Sequence, residues 1–205
     1  LSSAPVTYLT GKFAMPIAYL NGQWTQPEDA KISVFDRGFM FGDGVYEVMP
    51  VYKTHIFTLA EHIARLQRSM AEVRIQCPMS ALEWQVLLEE AVTRSNEQDA
   101  LIYLQVTRGI APERSHVYAV VPPTILITVT ASRVDEDAIK PISVVCKLDF
   151  RWSRGDIKVV SLMANGMLKN EAMDEGFDDA ILIRNGMVTE GTSSNVFAVK
   201  DGVLW

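Results

Sequence analysis

Apolar and polar positions change period several times along this chain, and each change marks an element. IAYLNGQW (17–24) sets two short apolar segments about Asn21-Gly22, the dipeptide of a tight hairpin. KISVF (31–35) and VYEVMPVY (45–52) read as strands, on either side of the glycine-rich loop DRGFMFGDG. The period then lengthens to that of a helix: Leu59, His62, Ile63, Leu66, Met70 and Val73 form one stripe. Thr58 and Glu61 precede it at the spacing of a capping box, and Ser80 and Glu83 repeat that spacing before a second helix that runs to about Ser95. LIYLQVT (101–107) and TILITVT (124–130) follow as buried strands, with the loop RGIAPERSH between them.

RVDEDAIKP (133–141) is charged, ends in proline and has no apolar period, so it reads as a linker. Beyond it ISVVCKLDF is a strand, RWSRGDIK a loop, SLMANGMLKNEAMDEG a helix and DDAILIRNGMVTEG a hairpin turning at Asn185-Gly186. SNVFAV is a further strand, Asp201-Gly202 another turn, and VLW opens a strand that does not finish. Strands, two helices and more strands, then a second mixed half, make an α+β chain of two domains. The expected organisation is an N-terminal extension (1–16, with Met15 a candidate natural start), a small α/β domain (17–132), the linker (133–141) and the start of a larger C-terminal domain (142–205). That last domain is expected to be truncated at Trp205.

Composition narrows the class. Apolar residues are 48% of the chain and charged residues 21%, as in ordinary globular proteins. Nineteen Lys and Arg against 25 Asp and Glu leave a net charge of -6, which argues against nucleic-acid or anionic-membrane partners. The apolar run Val117–Ala131 is broken by Pro122 and Pro123 and falls short of the roughly 20 residues a spanning helix needs. No charged start leads into an apolar segment, so a cytoplasmic protein is expected. Cys77 and Cys146 share no motif and read as reduced, half-buried packing residues; no spacing of ligands suggests a metal.

The stretch DIKVVSLMAN carries the chemistry. Lys158 lies between Ile157 and the pair Val159-Val160, and a lysine costs free energy to bury unless its charge is paired or lost. Either its stem lies on the apolar neighbours with the ammonium in water, or it is a desolvated amine that forms a Schiff base with a carbonyl. Further on, MVTEGTSSNVF offers Glu190 at a strand end, then Gly191 and the donor-rich run Thr192-Ser193-Ser194-Asn195. A lysine together with a carboxylate for a protonated ring nitrogen is the pairing that pyridoxal 5'-phosphate requires.

The blocks DRGFMFGDGVYEV, EHIARL, QVTRG, DIKVVSL and VTEGTSSNVF, in that order, resemble the class IV aminotransferases, pyridoxal-phosphate enzymes of fold type IV. The resemblance runs from Ile17 to Trp205. It implies that Lys158 carries the cofactor and acts as general base, that Glu190 contacts the pyridine nitrogen, that Arg65 contacts the phosphate, and that the protein is a homodimer. FGDGVYEV and TRGIAPERSH resemble the D-amino acid (D-alanine) branch, which implies that Tyr46, Arg114 and His116 hold the substrate α-carboxylate. Glu113 stands as an extra residue between Gly109 and Arg114 relative to that pattern. The resemblance implies transamination between a D-amino acid and a 2-oxo acid, both small molecules. A branched-chain L-amino acid aminotransferase, an aminodeoxychorismate lyase and an inactive cofactor-binding fragment remain as alternatives.

Overall fold

In the computed structural model, residues 17–132 and 140–205 are described. The expected extension 1–16 and most of the expected linker lie outside the described residues. The remainder divides into two compact units, 17–132 together with Ile157–Val160, and 140–156 together with Ser161–Trp205. The segment 157–160, expected with the second domain, therefore packs with the first.

The first unit is one antiparallel sheet and two long helices. Its strands are β1 (Ile17–Leu20), β2 (Gln23–Thr25), β3 (Gly44–Tyr52), β4 (His55–Ile56), β5 (Ala100–Thr107) and β6 (Thr124–Ala131), in the order β2-β1-β6-β5-β3-β4. Alternation along β3 buries Val45, Met49 and Val51 against residues of the helices α2 (Leu59–Glu72) and α3 (Ala81–Ser95). Leu66, Trp84, Leu88, Ile102 and Ile127 are fully buried in the same core.

The two helix starts differ. Ser80 caps α3 as its spacing predicts: its Oγ accepts from the Glu83 amide at 3.2 Å, and the Glu83 carboxylate accepts from the Ser80 amide at 2.7 Å. The box expected at Thr58 does not form. Thr58 has φ 48°, a left-handed backbone, whereas a capping hydroxyl needs an extended one to reach the helix amides.

The strand expected at 31–35 is also absent, and Ile32, Val34 and Phe35 are exposed. Local side-chain chemistry overrides the apolar alternation there. The chain turns from Ser33 to Asp36, and the Asp36 carboxylate accepts from the Gly38 amide at 2.8 Å, starting a short helix, α1 (Arg37–Phe41), inside the expected loop.

In the second unit, β7 (Val144–Leu148) pairs in parallel with β8 (Asp179–Arg184), which pairs antiparallel with β9 (Met187–Gly191). The connecting helix α4 (Met163–Asp174) buries Leu168 and Ala172 against Ala180 and Leu182. The hairpin turns at Asn185-Gly186 as predicted, with φ 52° and 77°. The strand expected over SNVFAV keeps only its last residue, in β10 (Val199–Lys200), which pairs with β11 (Val203–Leu204). Both cysteines are free; Cys77 is half-buried, but Cys146 is exposed rather than half-buried.

Leu88 has no solvent exposure in the core of the first unit. Leu88→Ala should cost about 2–5 kcal/mol of stability through lost burial and a residual cavity, read as a lower denaturant midpoint at unchanged slope.

Candidate functional site

Lys158 is held by the edge of β3. The Tyr46 amide donates to the Lys158 carbonyl at 3.0 Å, the Val160 amide donates to the Gly44 carbonyl at 3.1 Å, and Val159 bridges Val45. Ile157 and Val159 both pack on the apolar core, and the Val159 amide donates to the Ile157 carbonyl at 2.9 Å, a tight turn centred on Lys158. The Lys158 ammonium meets Tyr46, with Nζ 3.3 Å from the phenol oxygen and 4.3 Å from the ring centre. Lys158 is half-buried and has no carboxylate partner among the described residues.

On the buried face of the same strand sits a carboxylate that the sequence reading did not single out. Glu47 has no solvent exposure, and its neighbours on that face are Val45 and Met49. Its charge is met by three bonds. Arg65 donates Nε at 2.7 Å and Nη2 at 2.5 Å, and His62 Nδ1 lies 2.8 Å from Oε2. A carboxylate can only accept, so the Nδ1 carries the proton. Burial alone would raise the Glu47 pKa; the hydrogen bonds and charges of Arg65 and His62 outweigh it and lower the pKa. In return Glu47 raises that of Arg65, with a further contribution from Tyr46. The Arg65 side chain is still 40% exposed, so its guanidinium is oriented without being enclosed. The signal that could have found Glu47 is an acid inside the apolar alternation of VYEVMPV, facing the same way as Val45 and Met49.

Arg114 and His116 lie elsewhere in the first unit. Both are exposed; the Arg114 guanidinium stands 5.0 Å from the centre of the Phe41 ring and the His116 ring 5.6 Å from it. Tyr46 stands with Lys158, so the expected trio of carboxylate donors is divided between two places within this chain. Glu113 is exposed beside them, its carbonyl accepting from the Ser115 amide at 3.0 Å.

In the second unit, Glu190 lies on β9 with its side chain 44% exposed and its Oε1 accepting from Arg151 Nη1. Arg151 also donates to Asp149, through Nε at 2.9 Å and Nη2 at 3.0 Å, and Thr189 Oγ1 donates to Asp149 at 2.8 Å. These bonds, Arg151 foremost, hold the Asp149 carboxyl far below the usual range against the opposing effect of burial. Gly191 is required by close approach: a Cβ there would stand 2.2 Å from Ser194 Oγ and 2.9 Å from the Ser194 carbonyl oxygen. Two of the donors expected to face a ligand are otherwise engaged, since the Thr192 and Ser194 hydroxyls donate to Asp179. Ser193 and Asn195 remain exposed.

The family model for amino-transferase class IV matches residues 44–205. The chain is 41% identical over 187 residues to the D-alanine aminotransferase of Bacillus licheniformis, an alignment covering 90% of this chain and 66% of that protein. A fold IV-transaminase from Curtobacterium pusillum, CpuTA1, superposes with a TM-score of 0.77 at 23% identity, over 92% of this chain and 71% of that one. A branched-chain aminotransferase from Thermoproteus uzoniensis superposes at 0.80 and 24% identity, over 92% and 66%. These structural likenesses establish the shared fold. The chain spans 66% of the length of the Bacillus licheniformis relative.

Glu47→Gln would leave Arg65 without its counter-ion and His62 without its carboxylate acceptor. The expected loss is about 1–3 kcal/mol at about pH 7, below that for a fully enclosed pair because Arg65 is partly solvated. The folded Glu47 pKa is depressed below its ordinary 4.5, so its contribution is complete above that value and disappears as pH falls through the folded value. Denaturant titrations across that range should show the variant losing less stability on acidification than the parent.

Proposed function

The chain belongs to the class IV aminotransferase family, and from that premise we propose that it holds pyridoxal 5'-phosphate on Lys158 and transfers amino groups between a D-amino acid of the D-alanine type and a 2-oxo acid. The observation that carries the reading is Lys158 itself: a half-buried amine tied to β3, 3.3 Å from a phenol, with no carboxylate partner among the described residues. That donor set fits an aldehyde cofactor. The identity to a D-alanine aminotransferase supports the D-amino acid over the branched-chain alternative, for which the likeness reaches the fold alone.

When bound, the cofactor supplies an aldehyde carbon for attachment and a protonated pyridine ring that accepts electrons. Lys158 would hold it covalently through Nζ. The same nitrogen, when free, would be the base that takes the proton from the substrate Cα and returns it elsewhere. The Tyr46 hydroxyl orients Nζ. Arg65, its Nε and Nη2 fixed by Glu47, presents the rest of its guanidinium to the phosphate, a pairing of charge-assisted hydrogen bonds. Glu190, whose Oε1 accepts from Arg151, would supply a carboxylate for the protonated ring nitrogen. Arg114 and His116 hold the substrate α-carboxylate, which decides the face of Cα presented to the lysine. We further assign the protein to the cytoplasm as a homodimer, whose contact would cover exposed apolar residues such as Val34, Phe39 and Val117.

Borohydride reduction of the cofactor-loaded protein, followed by peptide mapping, should place the adduct on the peptide containing Lys158. A label on another lysine would remove the assignment. Lys158→Ala should abolish turnover, because anchor and base are lost together.

The handedness test is independent. D-Alanine should be converted and L-leucine should not, and Arg114→Ala should lower kcat/KM by about tenfold to a hundredfold for all D-substrates alike, as expected for loss of a charge-assisted bond to their common carboxylate. Preference for L-leucine would instead favour the branched-chain reading.

A further inference from the structure

Another carboxylate, with its side chain 11% exposed, has no part in the chemistry above. Asp43, between α1 and β3, accepts from two arginines at once: Arg37 Nε at 2.8 Å, and Arg108 Nε and Nη2 at 2.8 and 3.0 Å. Both arginines are buried, at 3% exposure each. Burial would raise the Asp43 pKa, but the hydrogen bonds from Arg108 and then Arg37 outweigh it. Two guanidinium charges on one carboxylate leave the cluster with a net positive charge of about one.

The two arginines do different things with their remaining donors. Arg108 donates to the Val73 and Arg74 carbonyls at 2.6 and 2.8 Å, closing the end of α2, where a cation also complements the helix dipole. It is the fixed base of the cluster. Arg37 reaches the other way: its Nη1 donates to the Ser115 carbonyl at 2.6 Å. Ser115 is the residue between Arg114 and His116. The Arg37 guanidinium also lies 4.7 Å from the centre of the Phe41 ring, the ring against which Arg114 and His116 stand at 5.0 and 5.6 Å.

The root of the same loop is equally constrained. The Arg37 amide donates to the Gly109 carbonyl at 2.9 Å, and the Arg108 amide donates to the Asp43 carbonyl at 3.0 Å. Gly109 has φ 99°, and a Cβ there would stand 1.9 Å from the Pro122 carbonyl oxygen, so the segment leading into β6 passes directly over it.

We propose that Arg37 is a positioning residue for carboxylate recognition: a strut from Asp43 to the Ser115 carbonyl that holds Arg114 and His116 on the Phe41 ring, ready for the α-carboxylate of the substrate. This rests on the reading of Arg114 and His116 as carboxylate ligands. The arrangement needs a fork. Nε and Nη1 of one planar group bond acceptors on two different segments, whereas the three donors of a lysine share one nitrogen and lack that rigid, spread fork. Without the strut the two exposed side chains sample many positions, and binding must then immobilise them.

The test uses the cofactor-loaded protein and propionate, a carboxylate with the carbon skeleton of alanine and no amine to react, with affinity measured by calorimetry. Arg37→Gln and Arg37→Lys should each weaken propionate roughly tenfold, the scale of one charge-assisted hydrogen bond. Cofactor retention should be unchanged, and the KM for D-alanine should rise more than kcat falls. Melting temperatures of both variants identify any loss of fold; if Arg37→Gln does not fold, Arg37→Lys, which keeps the charge, carries the comparison. In an Arg114→Ala, His116→Ala background the same Arg37 substitutions should have little further effect on propionate, because the strut would have nothing left to position. Equal losses in the two backgrounds, or a wild-type affinity in Arg37→Lys, would overturn the strut while leaving the carboxylate ligands in place. If Arg114→Ala with His116→Ala leaves propionate binding intact, the reading of those ligands fails and the strut fails with it.

Discussion

The hydrogen bond from the Tyr46 amide to the Lys158 carbonyl joins two segments separated by most of the chain, and the candidate chemistry depends on it. With the bond from Val160 to Gly44 it adds residues 158–160 to the edge of β3, opposite the long pairing with β5. Backbone pairing of this kind sets the position of Lys158 to within a fraction of a residue, which a flexible side-chain contact could not do. The same strand residue that binds the lysine through its backbone meets its ammonium through its phenol. Tyr46 is thus both the receptor of the segment and the neighbour of its reactive atom.

Two acids on or beside that strand extend the arrangement. Glu47 and Asp43 are each withdrawn from water and each met by two basic side chains, and in both the hydrogen bonds outweigh the penalty of burial. Removing either would leave guanidinium groups without a counter-charge in a region of low polarity. Their partners leave in different directions. Glu47 orients Arg65 on α2, while Asp43 joins the end of α2 to the loop that carries Arg114 and His116. In the second unit Asp149 plays the equivalent part for Arg151 and, through it, for Glu190. Arg65 and Glu190 are thus each held by an oppositely charged side chain.

Much of this was legible in the residues. The periods of α2 and α3, the alternation of β3, β5 and β6, and the Asn-Gly turns are local properties, and the folded chain keeps them. Lys158 and Glu190 stood out because a charged residue beside apolar neighbours, or at the end of a strand before a glycine, is costly or conspicuous without a purpose. The misreadings were local too. Three apolar residues at 31–35 imitated a strand, but Ser33 and Asp36 turned the chain into a helix; Thr58 had the spacing of a cap and the wrong backbone for one.

What the sequence by itself determined is most of the elements, which follow from short-range periodicity, and the family, which follows from the order of its motif blocks. Tertiary structure alone decided which charges meet. It brought Glu47 to Arg65 and His62, Asp43 to Arg37 and Arg108, and Lys158 to Tyr46, while it stationed Arg114 and His116 on Phe41, apart from the tyrosine they were grouped with. The physical reason is that an ion pair has no sequence period. Its strength depends on distance and on exclusion of water, and both are set only when strands and helices distant in the chain have packed together.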